Sequence, residues 1–315
     1  MREKKIDISI VIPIYNEEEN VSLLYDSITK VMTTVTKEYE IIMVDDGSKD
    51  RTLSILRRLQ EKDAHLRVIK FRGNFGQSAA MAAGFDAARG EKVVAMDGDL
   101  QNDPNDIPRL LEKLAQGYDV VSGWRRNRKD KLLLRKIPSK IANRLICSVT
   151  GVPLHDTGCS LKAFRKEIIK KINLYGELHR FIPALAKLEG AKITEIVVNH
   201  QARRFGVSKY NISRTFRVIM DLTTLNLFLK HLKNPLRFFG LLALVSMLIA
   251  ALMMLWAGIL WLNKNSQIAS FNIVLTMVFL FVVSTFQFIF LGLLAALIVH
   301  TGKKRNFYWL ASPDK

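Results

Sequence analysis

The sequence predicts an α/β domain with a mostly parallel sheet, followed by two membrane-spanning helices. Two observations carry this prediction. Between Ile8 and Met96, short apolar runs alternate with segments whose apolar residues recur at helical spacing, which is the pattern of β-α units. Toward the carboxyl terminus, two long apolar runs contain no charged residue, as expected of helices that cross a bilayer.

Four strands and three helices are predicted in the first part of the chain. The strands are Ile8–Ile14, Glu40–Val44, Leu66–Phe71 and Val93–Met96, and the helices are Val21–Val35, Arg51–Gln60 and Gly76–Ala88. Ligands of parallel sheets bind beyond the carboxyl ends of the strands. Polar clusters follow three of these strands, at Tyr15-Asn16-Glu17, Asp45-Asp46 and Asp97-Gly98-Asp99. We therefore expect them to converge on one cleft.

The triplet Asp97-Gly98-Asp99 is the most informative of these clusters. Two carboxylates at the end of a buried strand are hard oxygen ligands suited to Mg²⁺ or Mn²⁺ bound against a diphosphate. The triplet alone is also compatible with an ordinary acidic turn, because loops are rich in Asp. Its place after a strand favours the metal site.

The chain is basic, with 47 Lys and Arg against 29 Asp and Glu and a net charge of +18. This balance indicates an anionic partner, which can be nucleic acid, a phospholipid surface or a phosphorylated substrate. No nucleic-acid recognition motif is present, so nucleic acid is not expected as a partner. Two cysteines, Cys147 and Cys159, are too few for a disulfide framework and are consistent with a reducing compartment. The early apolar run is interrupted by Asp7 and Pro13, which excludes a signal-peptide core and predicts a cytoplasmic first domain.

Two membrane spans are predicted at about 238–262 and 271–299, since each exceeds the roughly 20 residues needed to cross a bilayer. Helices of a soluble core, the alternative, would keep a polar stripe. Lys and Arg flank the pair on both outer sides, whereas the link carries only Lys264. The positive-inside bias therefore places both flanks and both termini in the cytoplasm, with 236–315 as a hairpin and cytoplasmic tail.

Two further segments, at about 132–149 and 213–235, mix basic residues with a broad apolar face. They are either ordinary surface helices or amphipathic helices lying in the headgroup layer, and the combination favours the second. The expected organisation is a domain over 1–212 that includes the first such helix, the second helix at 213–235, and the hairpin.

Six motifs occur in order: V-I-P-I-Y-N-E-E-E-N, I-I-M-V-D-D-G-S-K-D, R-G-N-F-G-Q-S-A-A, M-D-G-D-L-Q-N-D-P, H-D-T-G-C-S-L-K-A-F-R and R-R-F-G-V-S-K-Y. With them the chain resembles the family-2 glycosyltransferases that act on polyprenyl phosphates, from about Ile8 to Tyr210 and on into the paired spans. The pattern is nearest to the bactoprenol glucosyltransferases, and dolichyl-phosphate mannose synthase and the undecaprenyl-phosphate aminoarabinose transferase share the framework. The resemblance implies a Rossmann-like GT-A nucleotide-sugar domain with interfacial helices and two transmembrane helices.

The resemblance also implies roles for individual residues. Nucleotide binding falls to Pro13, Tyr15, Glu17, Asp46 and Asp97, with Asp45 as a neighbour, and metal binding to Asp97, Asp99 and Gln101. The metal, Mg²⁺ or Mn²⁺, would offset charge on the departing diphosphate, so that Asp99 counts as catalytic.

For the acceptor, a phosphate monoester with a second pKa near 6 is largely dianionic at neutral pH and needs cations more than a base. Four residues are expected to hold that phosphate: Arg125, Arg135, Ser139 and Arg203. Asp156, the second catalytic candidate beside Asp99, matches the acid that family members carry beside the sugar, acting either as a base or only as an orienting group.

The expected reaction is inverting transfer of a hexose, glucose from UDP-glucose, to undecaprenyl phosphate or a related polyprenyl phosphate at the cytoplasmic face of the inner membrane. Alternatives are the same reaction with UDP-aminoarabinose or GDP-mannose, and a non-catalytic membrane scaffold or translocation accessory. The expected partners are the nucleotide sugar, the lipid phosphate and the bilayer, and relatives suggest a homo-oligomer, a tetramer.

Overall fold

The computed structural model describes residues 5–126, 147, 151–172, 174, 176, 178–201, 235–262 and 268–301. The chain folds as two compact units, Met1–Leu222 with Arg305–Lys315, and Thr223–Lys304. The two predicted interfacial helices lie, except for residues 147 and 235, outside the described residues, as does the expected domain boundary at 212. These assignments stay predictions.

The described part of the first unit is built on a seven-stranded sheet with the strand order β3-β2-β1-β4-β6-β5-β7. The strands are β1 (Ile8–Ile14), β2 (Tyr39–Asp45), β3 (Leu66–Lys70), β4 (Lys92–Ala95), β5 (Val120–Trp124), β6 (Lys162–Arg165) and β7 (Ile193–Val197). β6 runs antiparallel to β4 and β5, whereas the other neighbouring pairs are parallel. The mostly parallel sheet is thus confirmed, and the four predicted strands agree with β1 to β4 within one residue at either end.

Six helices of this unit are described: α1 (Val21–Val35), α2 (Thr52–Lys62), α3 (Gln77–Ala87), α4 (Ile107–Ala115), α5 (Lys166–Ile169) and α6 (Ile182–Leu188). Two short 3₁₀ turns occur at Pro104–Asp106 and Leu178–Phe181. Helix α1 buries one apolar stripe that includes Leu24 and Ile28. Helix α3 approaches the sheet closely, since a Cβ added at Gly84 would fall 2.2 Å from Val11 Cγ1. The small residues of α3 therefore seat it directly on β1.

The amino-terminal edge of the sheet holds a buried ion cluster around Glu40. Its carboxylate accepts hydrogen bonds from Ser9 Oγ (2.7 Å), Arg67 Nη1 (2.7 Å) and the Arg89 backbone N–H (2.7 Å). Arg67 and Arg89 both form ion pairs with it, and the Glu40 side chain is only 2% exposed. Burial raises the pKa of this carboxyl, but the hydrogen bonds from Ser9, Arg67 and Arg89 outweigh burial and hold it below its usual value. The cluster fastens the start of β2 to β1, β3 and the loop after α3.

The second unit is a pair of long helices, α7 (Pro235–Leu262) and α8 (Ile268–Thr301). Two candidate membrane spans, Pro235–Leu262 and Phe271–Ile298, have 28 residues each and mean hydropathies of 2.6 and 2.4. At about 1.5 Å per residue, 28 residues reach about 42 Å, beyond the roughly 30 Å of a bilayer's hydrocarbon core. Only 17% of each apolar window is buried by protein, whereas a core helix of a soluble protein would be covered.

The two long helices pack antiparallel through small residues. Ser246 Oγ on α7 donates a 2.9 Å hydrogen bond to the Phe281 carbonyl on α8. A Cβ added at Gly292 would fall 3.0 Å from Phe239 Cβ, so the backbones are close at this crossing. Close approach at small residues is the usual way in which helices associate inside a bilayer.

The Glu40 cluster predicts a pH-dependent stability term. Because its folded pKa lies below the usual 4.5, Glu40 should stabilise the protein fully above pH 4.5 and lose this contribution as the pH falls through the lower folded value. Glu40→Gln should cost about 2 kcal/mol at pH 7, because it weakens the charge-assisted hydrogen bonds that hold the cluster, seen as a lower thermal midpoint of the detergent-purified chain. The difference from wild type should shrink on acidification below pH 4.5.

The exposed substitution Glu61→Gln on α2 serves as the control and should leave the midpoint within about 1 °C of wild type, since surface changes rarely matter. A Glu40→Gln midpoint equal to that of Glu61→Gln would contradict the stabilising role of the cluster.

Candidate active site

Three polar segments meet at the carboxyl-terminal edge of the sheet, because β2, β1 and β4 are parallel neighbours. The first two are joined by hydrogen bonds between their loops. The Asn16 backbone N–H donates to Ser48 Oγ (2.9 Å), and Asn16 Oδ1 accepts from the Lys49 N–H (2.8 Å). Asn16 has a φ of +54°, a left-handed conformation that Asn tolerates better than most residues. The predicted nucleotide residues Pro13, Tyr15 and Glu17 lie on this edge and are partly exposed.

Asp45 ends β2 and is completely buried. Its Oδ1 accepts the Ser48 N–H at 3.2 Å, while Oδ2 has no hydrogen-bond partner within the described residues. Burial raises the pKa of this carboxyl above its usual value. A buried oxygen without a protein donor is costly, and a ligand N–H or hydroxyl would satisfy it.

Asp46 holds the loop between β3 and α3. Its Oδ1 accepts the Phe75 N–H at 2.7 Å and its Oδ2 the Gly76 N–H at 2.9 Å. The turn after it packs tightly on the same loop, since a Cβ at Gly47 (φ +71°) would fall 2.5 Å from the Gly73 carbonyl carbon. Only glycine meets both demands at position 47, a left-handed backbone and direct contact with another backbone. Asp46 thus has a structural task beside the predicted nucleotide role.

Asp97 and Asp99 follow β4. Gly98 lets this turn lie on the end of β1, because a Cβ there would fall 2.5 Å from Ile14 Cδ1. Asp97 Oδ1 accepts a hydrogen bond from Gln77 Nε2 at 2.7 Å, and the mostly buried Asp99 accepts one from the Gln101 N–H at 3.2 Å. Burial first, and then the negative charge of Asp99, raise the pKa of Asp97.

The two carboxylates fit a divalent cation. Their mutual repulsion raises the Asp97 pKa, and a bound cation would remove this repulsion. Within the described ranges, no group of three or more His, Cys, Asp or Glu residues is placed to hold a metal. A pair of carboxylates suits Mg²⁺ or Mn²⁺, which are commonly bound through one or two carboxylates together with water and substrate phosphates. Leu100, with a φ of +61°, turns the chain from these acids toward Gln101.

Arg125 and Asp156 form a buried ion pair next to this turn. Arg125 Nε lies 2.7 Å from Asp156 Oδ2 and Nη2 lies 3.0 Å from Oδ1, a bidentate geometry. The two side chains are 12% and 11% exposed. Burial acts to lower the Arg125 pKa, but the hydrogen bond and charge of Asp156 raise it above its usual value. Of the four predicted acceptor residues, Arg125 is described, whereas Arg135, Ser139 and Arg203 lie outside the described residues.

Sequence reasoning did not assign a role to two further residues of this region, Gln77 and Lys162. Lys162 begins β6, is 2% exposed, and donates from Nζ to the carbonyl oxygens of Thr157 and Cys159. It thereby ties down the turn that carries Asp156. Burial lowers the pKa of this lysine, against the raising effect of nearby acids that include Asp156. Gln77 ends the motif R-G-N-F-G-Q and Lys162 ends the segment C-S-L-K. Their place in these motifs was the sequence feature that could have indicated a role in the site.

The sheet with acids at its carboxyl edge belongs to the GT-A fold class, and two helices that are long and apolar enough to cross a membrane follow it. Residues 9–173 match the family described as Glycosyl transferase family 2. The chain is 45% identical, over 95% of its length and 89% of the relative, to dodecaprenyl-phosphate galacturonate synthase of Rhizobium johnstonii. It is 38% identical, over 92% of its length and 88% of the relative, to undecaprenyl-phosphate 4-deoxy-4-formamido-L-arabinose transferase of Salmonella choleraesuis. The chain belongs to glycosyl transferase family 2, as its motifs implied, and its two spanning helices indicate a membrane protein.

Solved structures share the fold. Glucosyl-3-phosphoglycerate synthase from Mycobacterium tuberculosis, in complex with Mn²⁺, UDP and phosphoglyceric acid, aligns with a TM-score of 0.53 and 20% identity over 70% of this chain and 78% of that one. S. aureus TarS, in complex with UDP-GlcNAc, aligns with a TM-score of 0.51 and 20% identity over 71% of this chain and 67% of that one. At this level of identity the two alignments support the GT-A fold alone.

The Arg125–Asp156 pair predicts a large stability loss on Arg125→Gln. Removing Arg125 deprives the buried Asp156 carboxylate of its bidentate cation, which costs about 3 kcal/mol. The thermal midpoint of the detergent-purified chain without substrates should fall accordingly. The midpoint of Arg125→Lys should lie between those of Arg125→Gln and wild type, because an ammonium keeps the charge and loses the bidentate geometry.

The neighbouring residue gives the matched control. Arg126 is exposed and lies 5.8 Å from the centre of the Trp124 ring, so Arg126→Gln should cost less than about 1 kcal/mol. Equal midpoints for the Arg125→Gln and Arg126→Gln variants would argue against a structural role for the pair.

Proposed function

We propose that this enzyme transfers a sugar from a nucleoside diphosphate donor to the phosphate of a polyprenyl phosphate, with inversion at the anomeric carbon. The observation that carries the proposal is the placement of Asp45, whose buried Oδ2 has no hydrogen-bond partner among the described residues, and of the Asp97–Asp99 pair at the same edge of one sheet in a family-2 chain. Both named relatives are polyprenyl-phosphate sugar enzymes.

In the donor half, Asp45 Oδ2 accepts a hydrogen bond from the base or ribose, beside Pro13, Tyr15 and Glu17. Tyr15 offers a ring face, and carboxylates suit the N–H and hydroxyl donors of a nucleoside. Asp46 contributes through the loop that it holds. Support comes from the burial of Asp45 and the tied loops around Asn16.

Asp97 and Asp99 would hold a divalent cation, with Gln101 as a further oxygen ligand. Such an ion supplies positive charge to the departing diphosphate. The solved fold neighbour from Mycobacterium tuberculosis contains Mn²⁺ together with UDP, which supports a divalent metal, and Mg²⁺ and Mn²⁺ remain the two candidates.

In the acceptor half, Arg125, Arg135, Ser139 and Arg203 bind the lipid phosphate. Arg125 can serve both Asp156 and a phosphate, because a guanidinium has five N–H donors and the ion pair uses Nε and one Nη2 donor. The phosphate oxygen attacks the anomeric carbon of the sugar and the bond to the donor diphosphate breaks. A dianionic acceptor needs no base to remove a proton. A carboxylate that is paired with an arginine is in any case a weak base. We therefore assign Asp156 the orienting role.

The donor sugar is the least constrained part of the proposal. The names of the two relatives point to galacturonate or 4-deoxy-4-formamido-L-arabinose, and we take galacturonate as the first candidate because that relative matches more of the chain at higher identity. Glucose and GDP-mannose stay predictions to be tested beside them. A non-catalytic scaffold is disfavoured, because every carboxylate that the reaction requires is present.

Transfer into lipid tests the proposal directly. Membranes containing the full chain are incubated with polyprenyl phosphate and, separately, labelled UDP-galacturonate, UDP-4-deoxy-4-formamido-L-arabinose, UDP-glucose or GDP-mannose. One donor should deliver label to the lipid phase. EDTA should abolish transfer, and Asp99→Asn should reduce it at least about 100-fold, because charge stabilisation at the leaving group is lost.

The exposed substitution Asp26→Asn on α1 is the control and should transfer at the wild-type rate. Absence of label from all four donors would refute the enzymatic proposal, and transfer that survives both EDTA and Asp99→Asn would refute the metal. In the same assay, Arg135→Ala should impair a polyprenyl acceptor more than a short soluble phosphate; an equal and mild loss for both would remove Arg135 from the acceptor site.

We also propose that the catalytic unit and both termini are cytoplasmic and that the link at 263–267 faces the other side. The support is the placement of Lys and Arg on the outer flanks of the two spans. In a chain whose native Cys147 and Cys159 are replaced by Ser, a membrane-impermeant thiol reagent should label Asn265→Cys in intact spheroplasts and Ser312→Cys only after permeabilisation. The reverse pattern would invert the topology. The homo-oligomer, a tetramer, stays a prediction.

A further inference from the structure

We infer that Gln77 is a positioning residue that fixes the Asp97 carboxylate for the divalent cation, and that Asp46 acts on the cation site through it. The inference rests on the proposed function, which places the cation at Asp97 and Asp99. It links the two halves of the donor site, the nucleotide side at β2 and the metal side at β4.

The contact between Gln77 and Asp97 is direct. Gln77 is the first residue of α3, and its Nε2 lies 2.7 Å from Asp97 Oδ1. An amide is a neutral donor, so it orients the carboxylate without competing for its charge. A carboxylate has about four lone-pair sites, and the hydrogen bond from Gln77 leaves room for a cation.

The position of Gln77 is set by the loop that precedes it. Both oxygens of Asp46 accept N–H groups of this loop, from Phe75 and Gly76. Gly76, with a φ of +93°, then turns the chain into α3. On the other side of Gln77, Ser78 Oγ lies 2.8 Å from His179 Nδ1. The backbone of Gln77 is therefore held from both sides.

Asp46 is thus connected to Asp97 by its hydrogen bonds to Phe75 and Gly76, by the backbone from Gly76 to Gln77, and by the hydrogen bond from Gln77 to Asp97. Groups that orient a metal ligand without touching the metal typically contribute 10–100-fold to metal affinity. Removal of either Asp46 or Gln77 should have the same effect on the cation, because both act through one contact. Residues that act through a shared partner give non-additive losses.

Metal affinity is measured by titrating the full chain in detergent with Mn²⁺ and monitoring the electron paramagnetic resonance signal of unbound Mn²⁺. The titration is done once with UDP and once without it, and no donor sugar is present in either case. Gln77→Met keeps the length of the side chain and removes the donor. It should raise the Mn²⁺ dissociation constant about 10–100-fold. Asp46→Asn should produce a similar rise, and the double variant should bind no more weakly than the weaker single variant.

Gln116→Ala, a change at an exposed glutamine at the end of α4, is the matched control and should leave the dissociation constant unchanged. Asp97→Asn should abolish measurable binding. If the thermal midpoint of Gln77→Met falls by more than about 5 °C, Gln77→Asn, whose amide is too short to reach Asp97, replaces it.

The outcomes separate the inference from the function on which it rests. Wild-type Mn²⁺ affinity in Gln77→Met, together with lost binding in Asp97→Asn, overturns the positioning role and leaves the proposed function standing. Additive losses, or an Asp46→Asn variant with unchanged Mn²⁺ affinity, overturn the link from Asp46. If the wild-type chain binds no Mn²⁺ with or without UDP, the metal of the proposed function fails and the inference with it.

Discussion

The desolvation of carboxylates at the carboxyl edge of the sheet is the constraint on which the rest of the site depends. Parallel strands β1, β2 and β4 bring acids to one edge, and burial raises the pKa values of Asp45, Asp46 and Asp97. Buried charge must be compensated. Backbone N–H groups from the β3–α3 loop, the amide of Gln77 and the cations of Arg125 and Lys162 supply part of that compensation. The rest of the compensation for the buried carboxylates has to come from bound ligands, so the folded site favours ligand binding.

The two ends of the sheet treat the same kind of residue in opposite ways. At the amino edge, Glu40 is as buried as Asp45, but two arginines and a serine satisfy it and the pKa is lowered. At the carboxyl edge, Asp45 keeps an oxygen without a partner within the described residues and its pKa is raised. The comparison separates a carboxylate that fastens strands together from one that, within the described residues, keeps an oxygen available for the proposed ligand. Burial alone does not distinguish the two carboxylates, because their hydrogen-bond and ion-pair partners determine the direction of the pKa shift.

The strands β1 to β4 were predictable because each is an apolar run that ends at polar residues, and the acids of the site were predictable because they follow those strands. The strands β5, β6 and β7 were not predicted. They have four or five residues each. In addition, β6 lies antiparallel between β4 and β5, and β-α alternation does not predict such a topology. The roles of Gln77 and Lys162 were not predicted for a related reason. Gln77 bonds to Asp97, which lies 20 residues further along the chain, and Lys162 bonds to carbonyl oxygens of the preceding turn. The sequence does not show either contact, because each depends on the folded backbone.

The charges also explain how two anions can meet in one enzyme. The acids around Asp97 repel a diphosphate, and under the proposed function a divalent cation held by Asp97 and Asp99 would attract the donor. The acceptor phosphate would instead be attracted by arginine, since Arg125 retains N–H donors while it holds Asp156. The proposed function therefore assigns donor and acceptor to separate positive charges, one exchangeable and one covalently part of the chain. Chelation should therefore weaken donor binding while leaving the arginine-based attraction for the acceptor intact.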